Sequence, residues 1–134
     1  MSPFVARVPM RWTDQDSYRH LNHARAVTLL EEARIGLFFD RASADGITTF
    51  AAGLLVVGLD VAYKRQVAYR ATPLEVAMTV DEVRAASFRI AYELRDGGAP
   101  AITAHTRMAT FDLAAQRPRR LAADERAWLE EWAV

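Results

Sequence analysis

Between residues 22 and 41 the sequence repeats apolar residues with the spacing of an α-helix. Five of them recur at i, i+3, i+4, i+7 and i+11, namely Ala26, Leu29, Leu30, Ala33 and Leu37. This spacing predicts a helix over residues 22–41 that turns one face toward the core. Ile35, Phe38 and Phe39 widen the apolar surface, so we expect burial on more than one side. Gly36 lies inside the segment, where the close approach of another backbone would explain it.

Segments typical of β-strands lie on both sides of this helix. Residues 4–12 alternate roughly between apolar and polar, and Pro9 favours an edge position for that strand. Residues 42–53 are typical of a loop. Four strands and a short C-terminal helix are then expected over residues 54–69, 74–84, 88–94, 101–113 and, for the helix, 121–132. Asp96, Gly97 and Gly98 predict a hairpin turn between the last two strands.

Four strands in succession predict an antiparallel meander, because parallel neighbours need long crossover connections. A long apolar helix packed against such a sheet predicts an α+β fold. The length of 134 residues favours a single domain that spans residues 1–134.

The composition excludes several classes of protein. The 17 basic and 17 acidic residues give no net charge, which argues against a protein built to bind nucleic-acid phosphates. With no net charge, electrostatic repulsion between copies of the chain is also at its weakest, which favours self-association. The absence of cysteine excludes disulfide scaffolds, thiolate metal sites and cysteine nucleophiles. No apolar run is long enough to span a membrane, and the N-terminus lacks the pattern of a signal peptide, so we expect a cytoplasmic protein without a membrane partner.

The segment TDQDSYRHLNHAR, residues 13–25, holds two aspartates, two histidines and an asparagine directly before the predicted helix. One interpretation is a turn that caps the helix, because its residue types are common in turns and N-caps: Asp14, Asp16, Ser17 and Asn22. A second is a zinc or iron site, since Asp16, His20 and His23 could share one helical face.

A calcium loop does not fit this segment. The positions that require a third oxygen ligand, a glycine and a terminal glutamate hold Tyr18, Arg19 and Arg25.

The third interpretation is catalytic. An aspartate just before a helix N-terminus lies close to unpaired backbone N–H groups, which can polarise a carbonyl and hold the oxyanion that forms on attack. The same carboxylate can attack the carbonyl or activate a water molecule. This combination suits acyl transfer or hydrolysis at an ester or thioester.

Other polar and aromatic residues have simpler structural explanations. Glu31 and Arg34 are spaced to pair along the helix. His105 lies within a predicted strand, where a lone histidine is usually structural. Trp128 and Trp132 are expected to cover the core.

The stretch WTDQDSYRHLNHARAVTLLEEAR resembles the signature of hotdog-fold acyl-CoA thioesterases of the 4-hydroxybenzoyl-CoA thioesterase type. The residues that match that signature are Asp14, Asp16, His20, Leu21, Asn22, Glu31, Ala33 and Arg34. The stretches VAYKRQVAYRATPLEV, AASFRIAYELRDGG and TRMATFDLAAQRPRRL are also similar to the family, so the resemblance covers essentially the whole chain. It implies a hotdog fold, an antiparallel sheet wrapped around one long central helix, with a short C-terminal helix.

The resemblance implies hydrolysis of the thioester bond of an acyl-CoA, or of an acyl carrier protein thioester. Asp16 would be the nucleophile or general base, and the backbone N–H near the helix start, that of His23 above all, would be the oxyanion donor. His20 and Asn22 would shape the loop and position water or the acyl group. Asp14 would be a structural turn residue.

The resemblance also implies a homodimer or homotetramer with its active sites between subunits and with the long second strand paired to its mate. No metal or redox cofactor is expected. The candidate substrate-binding residues are Tyr63, Lys64 and Arg65, whose charges could meet the phosphates of CoA or could be solvated edge charges.

Several positions depart from the family pattern. Arg19 stands where the family has a glycine, and a side chain costs energy there if the position requires a positive φ. His23 replaces a second asparagine, Gln66 stands where proline is usual, and Ala71-Thr72 stands where Gly-Asp is common.

Two other functions on the same fold remain open. One is a protein that binds acyl-CoA without turnover, an alternative suggested by the departures from the family pattern at Arg19 and His23. A hydratase of enoyl thioesters is disfavoured, because Asp16 precedes the helix and no catalytic histidine is placed within it.

Overall fold

The computed structural model describes residues 2–133. Its sheet contains β1 (Phe4–Val8), β2 (Leu54–Tyr63), β3 (Leu74–Asp81), β4 (Ser87–Asp96), β5 (Ala99–Asp112) and the two-residue β6 (Arg117–Pro118). The five long strands pair antiparallel in the order β1-β3-β4-β5-β2, and β6 pairs with β5. The edges are therefore β1 and β2, which confirms the edge position predicted for the first strand.

One connection of the predicted meander is wrong. Strands β3, β4 and β5 follow one another as antiparallel neighbours, but β2 lies beside β5 rather than beside β3. Strand β2 also ends at Tyr63 instead of residue 69, because the N–H groups of Lys64 and Arg65 both donate to the carbonyl oxygen of Ala101, at 2.9 and 3.2 Å. Residues 64–73 then carry the chain from one side of the sheet to the other.

The other strand boundaries are close to those predicted. The turn between β4 and β5 is confirmed, since Gly97 and Gly98 have φ values of 65° and 90°, as a type I′ turn requires. Residues 42–53 are more regular than predicted, because they contain the last turn of the long helix and a 3₁₀ turn at Thr49–Ala52.

The long helix begins as α1 (His23–Ile35) and continues through the π-helical residues Gly36–Arg41 and the final turn Ala42–Ala44. All five residues of the predicted core face are buried, as is Phe38. Ile35 and Phe39 are roughly two-fifths exposed, so the expectation of burial on more than one side is wrong for them. The explanation offered for Gly36 is also wrong, because a Cβ at that position would meet nothing within 4 Å.

Aromatic side chains close one end of the core between the helix and the sheet. Phe38 stacks on Phe88 with ring centroids 5.4 Å apart, and it packs edge-on against Phe50 and Trp128 at 5.2 and 5.6 Å. Trp128 belongs to the C-terminal helix (Ala123–Glu130), which is shorter than predicted but covers the core as expected.

The described chain holds no helix that combines the length and the apolar character needed to cross a membrane.

Candidate active site

The residues before α1 fold back on themselves as a small hairpin. Gln15 and Leu21 form an antiparallel bridge, and the N–H of Asp16 donates to the carbonyl oxygen of His20 at 2.8 Å. The N–H of Arg19 closes the turn by donating to the carbonyl oxygen of Asp16 at 3.0 Å. Asp16 is therefore held by backbone contacts on both sides of the turn.

This hairpin docks against the segment that follows β2. The N–H of Leu21 donates to the carbonyl oxygen of Val67 at 2.7 Å, and His20 forms an antiparallel bridge with Ala68. A cleft of about 590 Å³ opens beside this contact, lined by Trp12, Gln15, Asp16, Arg19, Ala68 and Tyr69.

Asp14 is fully buried and bound on one side by Arg11. Its carboxylate accepts the backbone N–H of Arg11 at 2.8 Å and guanidinium N–H groups at 2.8 to 3.2 Å. Burial raises the pKa of Asp14, but the hydrogen bonds and charge of Arg11 outweigh it and hold the pKa below its ordinary value. The carbonyl oxygen of Asp14 also accepts the N–H of Asn22 at 2.8 Å, so Asp14 has the structural role expected of it.

Asp16, in contrast, is only partly buried and lines the cleft. Its Oδ1 accepts the N–H of Tyr18 at 2.8 Å and the N–H of His20 at 3.3 Å. Its Oδ2 accepts no hydrogen bond from any residue between 2 and 133. One oxygen thus fixes the carboxylate while the other is left for a substrate or a water molecule.

Asn22 caps the helix, as the turn-and-cap interpretation predicts. Its side-chain oxygen accepts the N–H groups of Ala24 and Arg25 at 2.9 and 3.2 Å. The N–H of His23 finds no acceptor in the part of the chain that the structure describes. Within the first turn of α1, His23 therefore contributes the N–H that remains able to bind an oxyanion.

The two histidine side chains have different surroundings. Nδ1 of His20 is buried and has no hydrogen-bond partner among the described residues, whereas the exposed ring of His23 packs edge-on against Tyr63 at 6.4 Å. No group of three or more His, Cys, Asp or Glu side chains in residues 2–133 is placed to hold a metal ion. Asp16, His20 and His23 therefore do not form the metal-binding cluster considered from the sequence.

The three candidate substrate-binding residues lie where β2 ends. The hydroxyl of Tyr63 donates to the carbonyl oxygen of His23 at 2.8 Å, which ties the end of β2 to the first turn of α1. The guanidinium of Arg65 donates to the carbonyl oxygen of Asp96 at 2.6 Å and so supports the β4–β5 turn. Lys64 is exposed, and its ammonium group makes no contact with an acceptor in residues 2–133.

A second cavity, of about 200 Å³, lies between α1 and β2. Arg34 lines it and donates to the hydroxyl of Tyr92 at 3.2 Å, which in turn lies 2.7 Å from the hydroxyl of Thr106. The predicted pairing of Arg34 with Glu31 is confirmed at 3.6 Å. The sequence does not reveal this network, because the alternation of β4 and β5 marks Tyr92 and Thr106 only as inward-facing residues.

Trp12 and Tyr69 were also missed as cleft residues. The signal for Trp12 was its place two residues before Asp14, whereas nothing in the local sequence marks Tyr69.

Comparisons with known proteins place the chain in a family. The family model of the thioesterase-like superfamily matches residues 10–129. No protein of curated function matches the chain significantly. A predicted thioesterase from Bacillus stearothermophilus is 19% identical over 98% of this chain and 96% of that chain, with a TM-score of 0.83.

Two further solved structures are similar over nearly their whole length. The PA2801 protein from Pseudomonas aeruginosa is 25% identical over 96% of this chain and 99% of that chain, with a TM-score of 0.81. A thioesterase from Thermus thermophilus, complexed with coenzyme A and Zn, is 24% identical over 98% of this chain and 94% of that chain, with a TM-score of 0.81.

These likenesses confirm the predicted hotdog fold, and the family match confirms the predicted enzyme class, a thioester hydrolase. The match takes in the hairpin that carries Asp16, the whole long helix and strands β2 to β5. The chain belongs to the thioesterase-like superfamily.

Proposed function

We propose that this protein is an acyl-CoA thioesterase in which Asp16 supplies the reacting carboxylate. The observation that carries the proposal is the state of its two oxygens: Oδ1 is fixed by backbone N–H groups, and Oδ2 is unpaired among the described residues beside the cleft. Asp14, two residues away, is buried against Arg11 and is closed to substrate.

The start of α1 supplies the complementary electrophilic group. A thioester carbonyl oxygen that accepts the N–H of His23 is polarised, and the negative charge that grows on it during attack is favoured at a helix N-terminus. Asn22 holds this turn through the N–H groups of Ala24 and Arg25, so its role is to position the oxyanion donor.

Two routes lead from this arrangement to the same products. In the first, Asp16 attacks the carbonyl carbon, the C–S bond breaks, the thiolate of CoA leaves and takes a proton, and water hydrolyses the acyl-aspartyl anhydride. In the second, Asp16 removes a proton from a water molecule that attacks the carbonyl carbon directly, the C–S bond breaks, and the thiolate of CoA leaves and takes that proton. Both routes yield a carboxylic acid and free CoA.

Coenzyme A is the favoured carrier of the acyl group. The Thermus thermophilus relative is complexed with coenzyme A. Lys64 lies one residue beyond the end of β2, exposed and without an acceptor in residues 2–133, where it could meet a phosphate of the carrier.

Strand β2 supports a dimer, because its outer edge is unpaired within the described chain and is strongly apolar. Its large apolar side chains are between 38% and 59% exposed: Leu55, Val56, Val57, Leu59 and Tyr63. The opposite edge, β1, is only half as long and is followed by Pro9, features that protect an edge from pairing. We therefore infer that β2 pairs with β2 of a second copy.

Light scattering after size-exclusion chromatography tests this dimer. Leu59→Lys should shift the protein toward the monomer, because it places a charge in the middle of the apolar edge. Leu113→Lys, at another exposed apolar site outside β2, should leave the dimer intact. A monomeric wild-type protein, or equal effects of the two substitutions, would refute the pairing.

Release of free thiol from a panel of acyl-CoAs tests the catalytic role. Asp16→Asn keeps an oxygen that can accept the N–H groups of Tyr18 and His20, so the loop should persist while kcat falls by about 10²- to 10⁴-fold. Asp40→Asn, at an exposed carboxylate on the far part of the long helix, is the matched control and should keep full activity. Full activity in Asp16→Asn would refute the role of Asp16, and acyl-CoA binding without turnover in the wild type would refute catalysis.

A further inference from the structure

Arg19 is held in a backbone conformation that disfavours a side chain. Its φ of 66° lies in the left-handed region, where a residue with a Cβ is strained relative to glycine. The hairpin imposes this value, since the N–H of Arg19 donates to the carbonyl oxygen of Asp16 while the N–H of Asp16 donates to the carbonyl oxygen of His20. These bonds involve only the backbone at position 19, so glycine would form the same turn without the strain.

The side chain of Arg19 lines the cleft beside Asp16. It is exposed, and its guanidinium makes no hydrogen bond or ion pair with any residue from 2 to 133. Trp12 and Tyr69 line the same cleft and are 71% and 41% exposed. No cation–π pair involves Arg19 in residues 2–133, so its N–H groups are left to bind an anion that enters the cleft.

We infer that Arg19 selects thioesters whose acyl group carries a carboxylate, such as the half-thioesters of succinic, glutaric and adipic acid. The inference rests on the proposed function of Asp16. A guanidinium binds a carboxylate through two parallel N–H···O bonds, a geometry that an uncharged acyl chain does not offer.

The place of Arg19 in the turn favours the acyl group over the phosphates of CoA. Asp16 and Arg19 are the first and last residues of one hydrogen-bonded turn, so their Cα atoms lie within about 7 Å of each other. A group bound by Arg19 is therefore close to the thioester carbonyl. The whole pantetheine arm separates that carbonyl from the phosphates, whereas a carboxylate a few carbons away fits the short distance.

The kcat/KM values of glutaryl-CoA and the uncharged pentanoyl-CoA test the inference. The wild type should prefer glutaryl-CoA by about tenfold, the effect of a charge-assisted contact that is partly open to water. Arg19→Gln and Arg19→Gly should lose this preference. Arg19→Lys should keep part of it, since it retains the charge but not the paired donors, and added salt should weaken it further.

Two features of the chain control for other causes. Arg19→Gly relieves the strained φ, so a loss of preference in that variant does not come from unfolding. Arg25→Gln removes another exposed arginine, in the first turn of α1 and outside the lining of the cleft, and should keep the preference.

The outcomes separate this inference from the proposed function. An unchanged ratio of the two kcat/KM values in Arg19→Gln, or an equal loss of kcat/KM on both substrates, would overturn the inference. The second result would mean that Arg19 binds the CoA moiety, which both substrates share. Absence of turnover with every thioester would refute the proposed function instead. The dissociation constants of glutaryl-CoA and pentanoyl-CoA, measured by calorimetry, would then still decide whether Arg19 recognises the carboxylate.

Discussion

Replacing Asp14 with asparagine removes one negative charge from a fully buried site while preserving the volume of the side chain. The carboxylate accepts three N–H groups of Arg11, and asparagine would turn its own N–H₂ group toward some of them. A hydrogen bond to a charged group contributes about 1.5–3 kcal/mol, and the lower end applies here because the side chain of Arg11 is 53% exposed. We therefore expect Asp14→Asn to lower the free energy of unfolding by about 2 kcal/mol.

Thermal unfolding followed by circular dichroism between pH 2 and pH 7 measures this effect. At pH 7 the expected loss lowers Tm by roughly 6–10 °C for a chain of this size. The pKa of Asp14 in the folded protein lies below its ordinary value of 3.8, so the contribution of Asp14 is complete above that pH and is lost as the pH falls through the folded pKa. The difference between wild type and variant should therefore narrow in acid; a difference that is absent at pH 7, or constant down to pH 2, would refute this account.

Three further substitutions follow from single contacts. Gly53→Ala should lower the free energy of unfolding in urea by about 2–3 kcal/mol, because Gly53 has a φ of 153° and a Cβ there would overlap the carbonyl oxygen of Phe111; no loss would contradict that overlap. Arg19→Gly should raise Tm through a gain of about 1 kcal/mol, and an unchanged Tm would show that the φ of 66° is unstrained. Burial raises the pKa of Glu125, but hydrogen bonds led by that from Arg119 outweigh it and lower the pKa below 4.5. Glu125→Gln should lower the free energy of unfolding by about 3 kcal/mol at pH 7, and the Tm of the variant should fall less steeply than that of the wild type below pH 4.5. Parallel curves of Tm against pH for the two proteins would contradict this account.

Local periodicity was sufficient to predict the elements of this fold. The spacing of Ala26, Leu29 and Leu37 selects one helical face, and that face is buried. The same spacing could not say how far the surface around it is covered, so Ile35 and Phe39 were assigned to the core although they are partly exposed. Burial of a helix flank depends on what packs against it, which the helix sequence alone does not contain.

The neighbour of β2 could not be predicted for a related reason. Alternating apolar residues show that a strand has a buried face, but they do not show which strand lies beside it. Neither this pattern nor the loop length decides whether β2 pairs with β3 or with β5. The choice depends on residues 64–73, which cross the end of the sheet and are held there by the bond from Leu21 N–H to the carbonyl oxygen of Val67. This contact joins two segments far apart in the sequence, so no local pattern announces it.

The same distinction between local sequence and tertiary packing applies to the candidate site. A buried, paired Asp14 and a more accessible Asp16 were expected, because both depend on a short segment that forms its own hydrogen bonds. Tyr69 and the pair Tyr92–Thr106 were not expected in the cavities they line or border, because the crossing segment and the sheet register bring them there. Residues contributed by a single turn were predictable, whereas residues contributed by tertiary packing were not.

Position 19 lies between these two cases. The sequence predicts only that arginine in place of the family's glycine is costly if φ is positive. The observed φ of 66° meets that condition. The left-handed conformation costs a residue with a Cβ at least about 1 kcal/mol. A tenfold preference between substrates corresponds to about 1.4 kcal/mol. The two quantities are of similar size but act on different equilibria: the strain lowers the free energy of unfolding with or without substrate, whereas the contact inferred for Arg19 acts only on the choice of substrate.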